Sequence, residues 1–238
     1  MNFKGGVIII GSLIWDMNPI REKWRRLAFR SVEERITVPV KIRYGRQSKS
    51  RFETFSMIFS NHPSTQFGKG IVLEFDSAIK NFEMLKDQAY ALAYAEGICK
   101  DLSNPTINAN WGTVGIIFNP SIEGKDKSNA DWLKMKWGEL YKGYRDSFTS
   151  EEYASDKGEI PVIDRFGHLK IDWVKEMDKF DFLLATATKP SHGLITSREI
   201  ASRMNEKKYW EYFDKNVENG IYTFQDKEIA ENREISNN

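Results

Sequence analysis

The stretch Val7 to Asp16 reads VIIIGSLIWD. Four β-branched residues in succession, Val7 to Ile10, predict a short, fully buried strand. Gly11-Ser12 ends the run abruptly. A glycine at that point lets the chain turn through backbone angles closed to other residues and bring its N–H groups close to a ligand. Ser12 adds a hydroxyl, and Leu13, Ile14 and Trp15 return apolar bulk. Such a strand and turn can leave free N–H groups facing an anion. Taken alone it is equally the description of an ordinary turn, so the rest of the chain has to decide.

The chain has 238 residues, 40% of them hydrophobic, enough for one large domain or two small ones with a substantial core. A net charge of +1 gives no electrostatic case for nucleic acid or a membrane surface as partner. Cys99 is the only cysteine, which excludes an intrachain disulfide and a cysteine zinc site. His62, His168 and His192 stand too far apart to form a ligand pair, and His62 and His168 read as surface or structural histidines, so no metal or cofactor is expected. The apolar run near the N-terminus is too short to span a bilayer. Only Lys4 precedes it as a cation, and no small-residue cleavage site follows, so a soluble cytoplasmic protein is expected.

Outward from the first strand, Asn18-Pro19 marks a helix start, and Ile20 to Phe29 reads as a short basic helix with Trp24 and Leu27 inward. Ile36 to Tyr44 alternates as a half-buried strand, with Pro39 arguing for an edge or a bulge, and Gly45 to Ser50 reads as a basic loop. Strands are expected at Glu53 to Phe59 and Gly70 to Phe75. Asp76 or Ser77 should cap a helix from Ala78 to Glu96, with Ile79, Phe82, Leu85, Ala89 and Leu92 on its apolar face and Gly97 as its left-handed end. A strand at Gly112 to Phe118 follows the loop Asp101 to Asn110. Ser121 to Asn129 reads as an exposed loop, Asp131 to Phe148 as a second amphipathic helix, His168 to Trp173 and Phe180 to Thr188 as strands. The capping box at Thr196 and Glu199 opens a helix toward Val217, closed by Asn219-Gly220. A short helix follows Thr223, and the tail from Glu231 should fray. Strands cluster early without intervening helices, which favours α+β over a doubly wound parallel sheet. The helix opening at Thr196 has a faint helix-turn-helix pattern, but the mixed charge that follows supplies no recognition helix.

Three groups carry candidate chemistry. Glu96 falls seven residues after Ala89 and fourteen after Phe82, on the apolar stripe and at the negative end of the helix dipole. Desolvation and the dipole both favour its protonated form, which suits a general acid/base. If the helix instead frays at Tyr94, Glu96 turns to solvent. Tyr44-Gly45-Arg46 ends a strand in a phenol and a guanidinium able to pair with a carboxylate in a bidentate manner; in isolation it is a solvated hairpin loop. Ser12 has no His/Asp partner at recognisable spacing, which argues against a hydrolase triad.

These pieces together resemble the gamma-glutamylcyclotransferase-like superfamily, its ChaC-type branch in particular. Ile10-Gly11-Ser12-Leu13, continued by Ile14-Trp15, is similar to the branch's GSLIW. Tyr44-Gly45-Arg46 resembles its Tyr-x-Arg, and Glu96-Gly97 resembles the helix end that supplies its catalytic glutamate. The likeness spans roughly residues 5 to 118. It implies a small mixed β-barrel flanked by helices, with residues 1–120 as the cyclotransferase-like core and 121–238 as a helix-rich extension packed on it. It also implies a small-molecule gamma-glutamyl substrate, held by Gly11, Ser12, Leu13, Tyr44 and Arg46. Glu96 would take a proton from the substrate's alpha-amine, which attacks the side-chain carbonyl and releases 5-oxoproline, without metal or nucleotide. Position 10 departs from the pattern, with Ile10 where a Tyr is usual. Residues beyond 120 have no counterpart in the small cyclotransferases and could form a lid, a homodimerisation arm or a partner surface. The rival expectation is a non-catalytic binding or interaction module on the same fold.

Overall fold

The computed structural model describes residues 2–156 and 158–235. At its centre lies β1 (Gly5–Ile9), buried at every position; it begins two residues before the expected Val7, and Ile10, the last of the β-branched run, lies beyond it half-buried. On one side it pairs antiparallel with β4 (Phe67–Glu74), Val7 opposite Leu73. On the other it pairs parallel with β7 (Phe182–Thr188), Val7 opposite Leu184. Gly6 permits this double pairing, since a Cβ there would stand 2.3 Å from the Leu73 carbonyl oxygen. Outside β4 come β2 (Ile36–Ser48) and β3 (Thr54–Phe59); outside β7 come β6 (Gly112–Phe118) and β5 (Asn108–Ala109). The described residues thus form one mixed seven-stranded sheet in the order β3-β2-β4-β1-β7-β6-β5.

The architecture is α+β, and the sheet is open rather than closed into a barrel. β3 and β5 are its edges. One end is nevertheless drawn together by the chain that leaves β7: Ser191 and His192 donate their backbone N–H groups to the Gly45 carbonyl at 2.9 and 3.2 Å. Arg43, wholly buried, seals this contact through the carbonyls of Tyr44 and Gly193, each at 2.9 Å. Strand β2 is longer than its alternation suggested. It runs on through Tyr44, Gly45 and Arg46, with a register shift between Tyr44 and Arg46, because its two halves have different partners: Ile36 to Lys41 pair with β4, and Ile42 to Ser48 with β3. Pro39 falls in the half that is paired on one side only.

The helices differ from expectation mainly at their ends. α1 (Pro19–Ala28) is capped by the Asn18 side chain and turns Trp24, Arg25 and Ala28 inward, whereas Leu27 is 64% exposed. α2 (Phe82–Glu96) begins later than Asp76 or Ser77 would set it, because the Asn81 side chain accepts from Met84 N. It buries Leu85, Ala89 and Leu92, and ends at Gly97 with φ 80°. The expected loop after Ser121 is instead the first turns of α3 (Ile122–Lys142), broken at Asp126, whose carboxylate takes the Asn129 N–H and restarts the helix. The helix expected from Thr196 to Val217 is two, α4 (Ser197–Lys207) and α5 (Glu211–Glu218), because Lys208 takes a left-handed conformation at φ 52°. The capping box itself forms as read. His168 to Trp173 makes single bridges only, to Ile116 and Ile163. α6 (Asp226–Ile235) continues past Glu231, and residues 236–238 of the expected frayed tail lie outside the described residues. None of the described helices is long and apolar enough to cross a membrane.

The sheet does not divide at residue 120. β7, from the second half, fills the place between β1 and β6. A fragment of residues 1–120 would expose one side of β1 along its length and leave β6 with only β5. The fragment is expected to show no cooperative thermal transition by circular dichroism, whereas the full chain melts in one; a cooperative melt of the fragment would establish an independent N-terminal domain.

Candidate active site

β1 stops at Ile9 while its neighbours β4 and β7 run on, and the chain beyond it bounds a cavity of about 450 Å³. Ile10, Gly11, Ser12 and Leu13 form one wall. The other walls come from β2 and the turn after it (Arg46 to Arg51), the end of α2 (Glu96, Gly97), Trp111, Thr186 on β7, and Tyr212 on α5. The four residues from Ile10 onward therefore do line a cavity, and the last part of the chain closes it.

Gly11 is needed there for space rather than for its conformational range. Its backbone is extended, at φ −169°, and a Cβ would stand 2.8 Å from the Tyr212 hydroxyl. Ser12 to Ile14 form a single 3-10 turn. The N–H groups of Gly11, Ser12 and Leu13 find no acceptor among the described residues. Side chains hold this turn from behind. Arg25 donates to the carbonyls of Leu13 and Asp16 at 2.6 and 2.9 Å, and the Trp15 indole N–H donates to Asn216 Oδ1 at 2.9 Å. Arg21 ties α1 to the site on three sides, bonding Asp16, the Ser12 hydroxyl at 2.9 Å and the Ala95 carbonyl at 3.1 Å.

α2 keeps its helical form through Glu96, whose side chain is 20% exposed and stands 4.0 Å from Arg21 Nη2. Burial pushes the Glu96 carboxyl above its ordinary value; Arg21, the nearby Thr186 hydroxyl and Arg51 offset part of that rise by favouring the ionised form. Glu96 is the one carboxylate lining the cavity among the described residues, against Arg21, Arg46, Lys49 and Arg51. A cavity so charged suits an anion, with one carboxyl group beside it.

Arg46 lies in the cavity wall, its guanidinium 4.8 Å from the centre of the Trp111 ring and its Nη1 donating to the Trp111 carbonyl at 2.9 Å. Burial lowers its pKa, and the neighbouring Arg51 lowers it further. Tyr44 is not part of the site. It is wholly buried outside the cavity lining, its hydroxyl has no hydrogen-bond partner among the described residues, and burial together with the Asp226 charge holds it well above the usual phenol range. The register shift at Gly45 separates the two: Arg46 lines the cavity while Tyr44 faces the core.

Arg21, Arg51 and Tyr212 are absent from the sequence-derived set. Arg21 was legible in principle, since Arg21, Trp24, Arg25 and Ala28 share one helical stripe and two of them are cations on the buried side. Arg51 and Tyr212 reach the site only through tertiary placement; the Arg51 guanidinium packs 4.3 Å over the Tyr212 ring. His62 and His168 pair with Asp156 and Asp164 and stand outside the cavity lining. No cluster of His, Cys, Asp and Glu able to hold a metal occurs among the described residues. No family model, curated protein or solved structure matches this chain.

Two outcomes are expected from this geometry. Gly11→Ala should lower stability by about 1–3 kcal/mol by forcing the new methyl against the Tyr212 hydroxyl, and adding Tyr212→Phe should recover most of that loss in denaturant melts. An unrelieved double variant would place the strain elsewhere. Because the folded chain holds the Glu96 proton more tightly than the unfolded chain does, this group's contribution to stability falls as pH rises above about 4.3 and stays low beyond the raised folded value. Glu96→Gln should therefore melt higher than the wild type at neutral pH, by about 2–4 °C for each kcal/mol relieved, with the gap closing toward about pH 4. A gap independent of pH would show that Glu96 does not titrate in this way.

Proposed function

We infer that this chain is a cyclotransferase-type enzyme acting on a gamma-glutamyl amide or peptide. The observation that carries the reading is the meeting, in one cavity, of a carboxyl group raised by burial and a Gly-Ser-Leu turn with three unused backbone N–H groups. The turn holds the substrate's alpha-carboxylate. Glu96 takes a proton from the alpha-amine as its nitrogen attacks the side-chain carbonyl carbon. A carbon–nitrogen bond forms to close the five-membered lactam, the bond to the leaving amine breaks, and Glu96 returns the proton to that amine. The products are 5-oxoproline and the free amine. A base that must also act as acid works best with a pKa drawn toward neutrality, which is the direction of the Glu96 shift. Ile10 brings no hydroxyl to the cavity; the Tyr212 phenol, which takes the Met57 N–H at 3.2 Å, stands over Gly11 from the other side.

A second reading, a non-catalytic binding module on the same fold, is favoured by one observation. The Ser12 hydroxyl is already engaged by two arginines, and Glu96 has a guanidinium at 4.0 Å. The two readings part in a 5-oxoproline release assay across gamma-glutamyl amines, amino acids and peptides. Turnover is expected for at least one of them, and Glu96→Gln should reduce kcat by about 10²–10⁴-fold with KM little changed. Comparable turnover by the variant would remove Glu96 as the base. Binding without release by the wild type would establish the second reading.

A further inference from the structure

We propose that Arg21 and Arg51 form a paired-guanidinium receptor for one carboxylate or phosphate group of the ligand, at the point where both now meet the Ser12 hydroxyl. Arg21 Nη1 and Arg51 Nη2 donate to the same Ser12 Oγ at 2.9 and 2.8 Å. A hydroxyl offers lone pairs but no charge, so two like charges converge on a neutral acceptor at the wall of a cavity. Arg21 is compensated by Asp16 and has Glu96 at 4.0 Å. Arg51 makes no direct ion pair among the described residues, although its charge acts on the Glu96 carboxyl; its remaining contacts are the Ser48 hydroxyl at 3.3 Å and the face of Tyr212. Guanidinium forks make their strongest bonds to planar or tetrahedral oxyanions, and an anion entering here satisfies both forks along with the charge.

The segment that carries Arg51 is built to aim it. Phe52 and Glu53, neither of them glycine, both take left-handed conformations at φ 53° and 64°. They are held there by Glu53 N–H to the Ser48 carbonyl at 2.9 Å, by the Thr54 hydroxyl to the Arg51 carbonyl at 2.7 Å, and by Arg203 Nε to the Glu53 carbonyl at 3.1 Å. Strained backbone fixed by its surroundings gathers at ligand clamps, and this strain presents a guanidinium to the cavity. The unused N–H groups of Gly11, Ser12 and Leu13 lie in the same wall and supply further donors to the same anion. Assigning the bound group as the alpha-carboxylate of a gamma-glutamyl compound rests on the cyclotransferase reading; the receptor rests on its own geometry.

Isothermal titration of the full chain with L-glutamate, and separately with inorganic phosphate, tests the receptor. At least one is expected to bind, and which one identifies the group as carboxylate or phosphate. Arg51→Gln should weaken that binding by about tenfold or more, since each bond to a charged group is lost with its charge. Arg51→Lys should recover part of it, restoring charge without the fork. Arg26→Gln, on the exposed side of α1, should bind as the wild type does. Circular dichroism melts of each variant confirm folding. Failure of both anions to bind the wild type, or unchanged binding by a folded Arg51→Gln, overturns the receptor. If binding is lost in Arg51→Gln while no variant, wild type included, releases 5-oxoproline, the receptor stands and the cyclotransferase reading falls.

Discussion

The placement of β1 between two strands is the constraint on which the rest of the structure depends. Its five residues are buried throughout and Gly6, Val7 and Ile8 are paired on both sides, so the strand cannot move without breaking two ladders at once. Where the strand stops, at Ile9, β7 beside it and β2 beyond β4 continue, and the space left past its end is the cavity. The position of the cavity is therefore a property of the sheet. Its contents are a property of the connections between elements: the turn leaving β1, the hairpin leaving β2, and the end of α2.

The turn at Ser12 shows how such a site is kept open. Its carbonyl at Ser12 takes the Trp15 and Asp16 N–H groups, while the N–H groups of Gly11, Ser12 and Leu13 stay outside any helix or ladder, and side chains on α1 and α5 add further bonds to the turn. Arg25 stabilises the carbonyls and leaves the N–H groups free. Arg21 joins Asp16, Ser12 and the end of α2 into one unit, so the distance between the turn and Glu96 is set by a single guanidinium. The same cation opposes the desolvation of Glu96. Burial outweighs it, which leaves the carboxyl raised but charged neighbours close at hand to tune it.

Much of this was legible in the sequence where a local rule governs. The β-branched run at Val7 to Ile10, the Asn18-Pro19 start, Gly97 as a helix end and the Thr196–Glu199 box all follow from φ/ψ preferences or from one side chain serving one N–H group. Glu96 was legible because its spacing from Phe82 and Ala89 sets it on the buried stripe. Tyr44 was misread because a bulge at Gly45 separates its environment from that of Arg46, and no alternation pattern marks a bulge. The barrel was misread because closure depends on how the two edges meet, and the tie at Gly45 involves carbonyl groups that every residue possesses. The break at Lys208 left no glycine or proline to mark it. Arg51 and Tyr212 were out of reach, for their partners lie 39 and 155 residues away.

The parallel pairing of β1 with β7 also bears on how the protein comes to be folded. The Lys4–Asp181 bond spans 177 residues, and the Trp15–Asn216 bond that steadies the turn spans 201. Chain closure over such separations must precede the contacts that reward it, so topologies rich in them fold slowly. During synthesis β1 emerges long before β7, and one side of it has no strand to pair with until β7 has left the ribosome. For that interval a buried, apolar strand is an unpaired edge, the kind of surface that recruits chaperones or other nascent chains. The cavity is thus among the last features to form, and a chain stalled before residue 182 carries β1 open on one side and without its site.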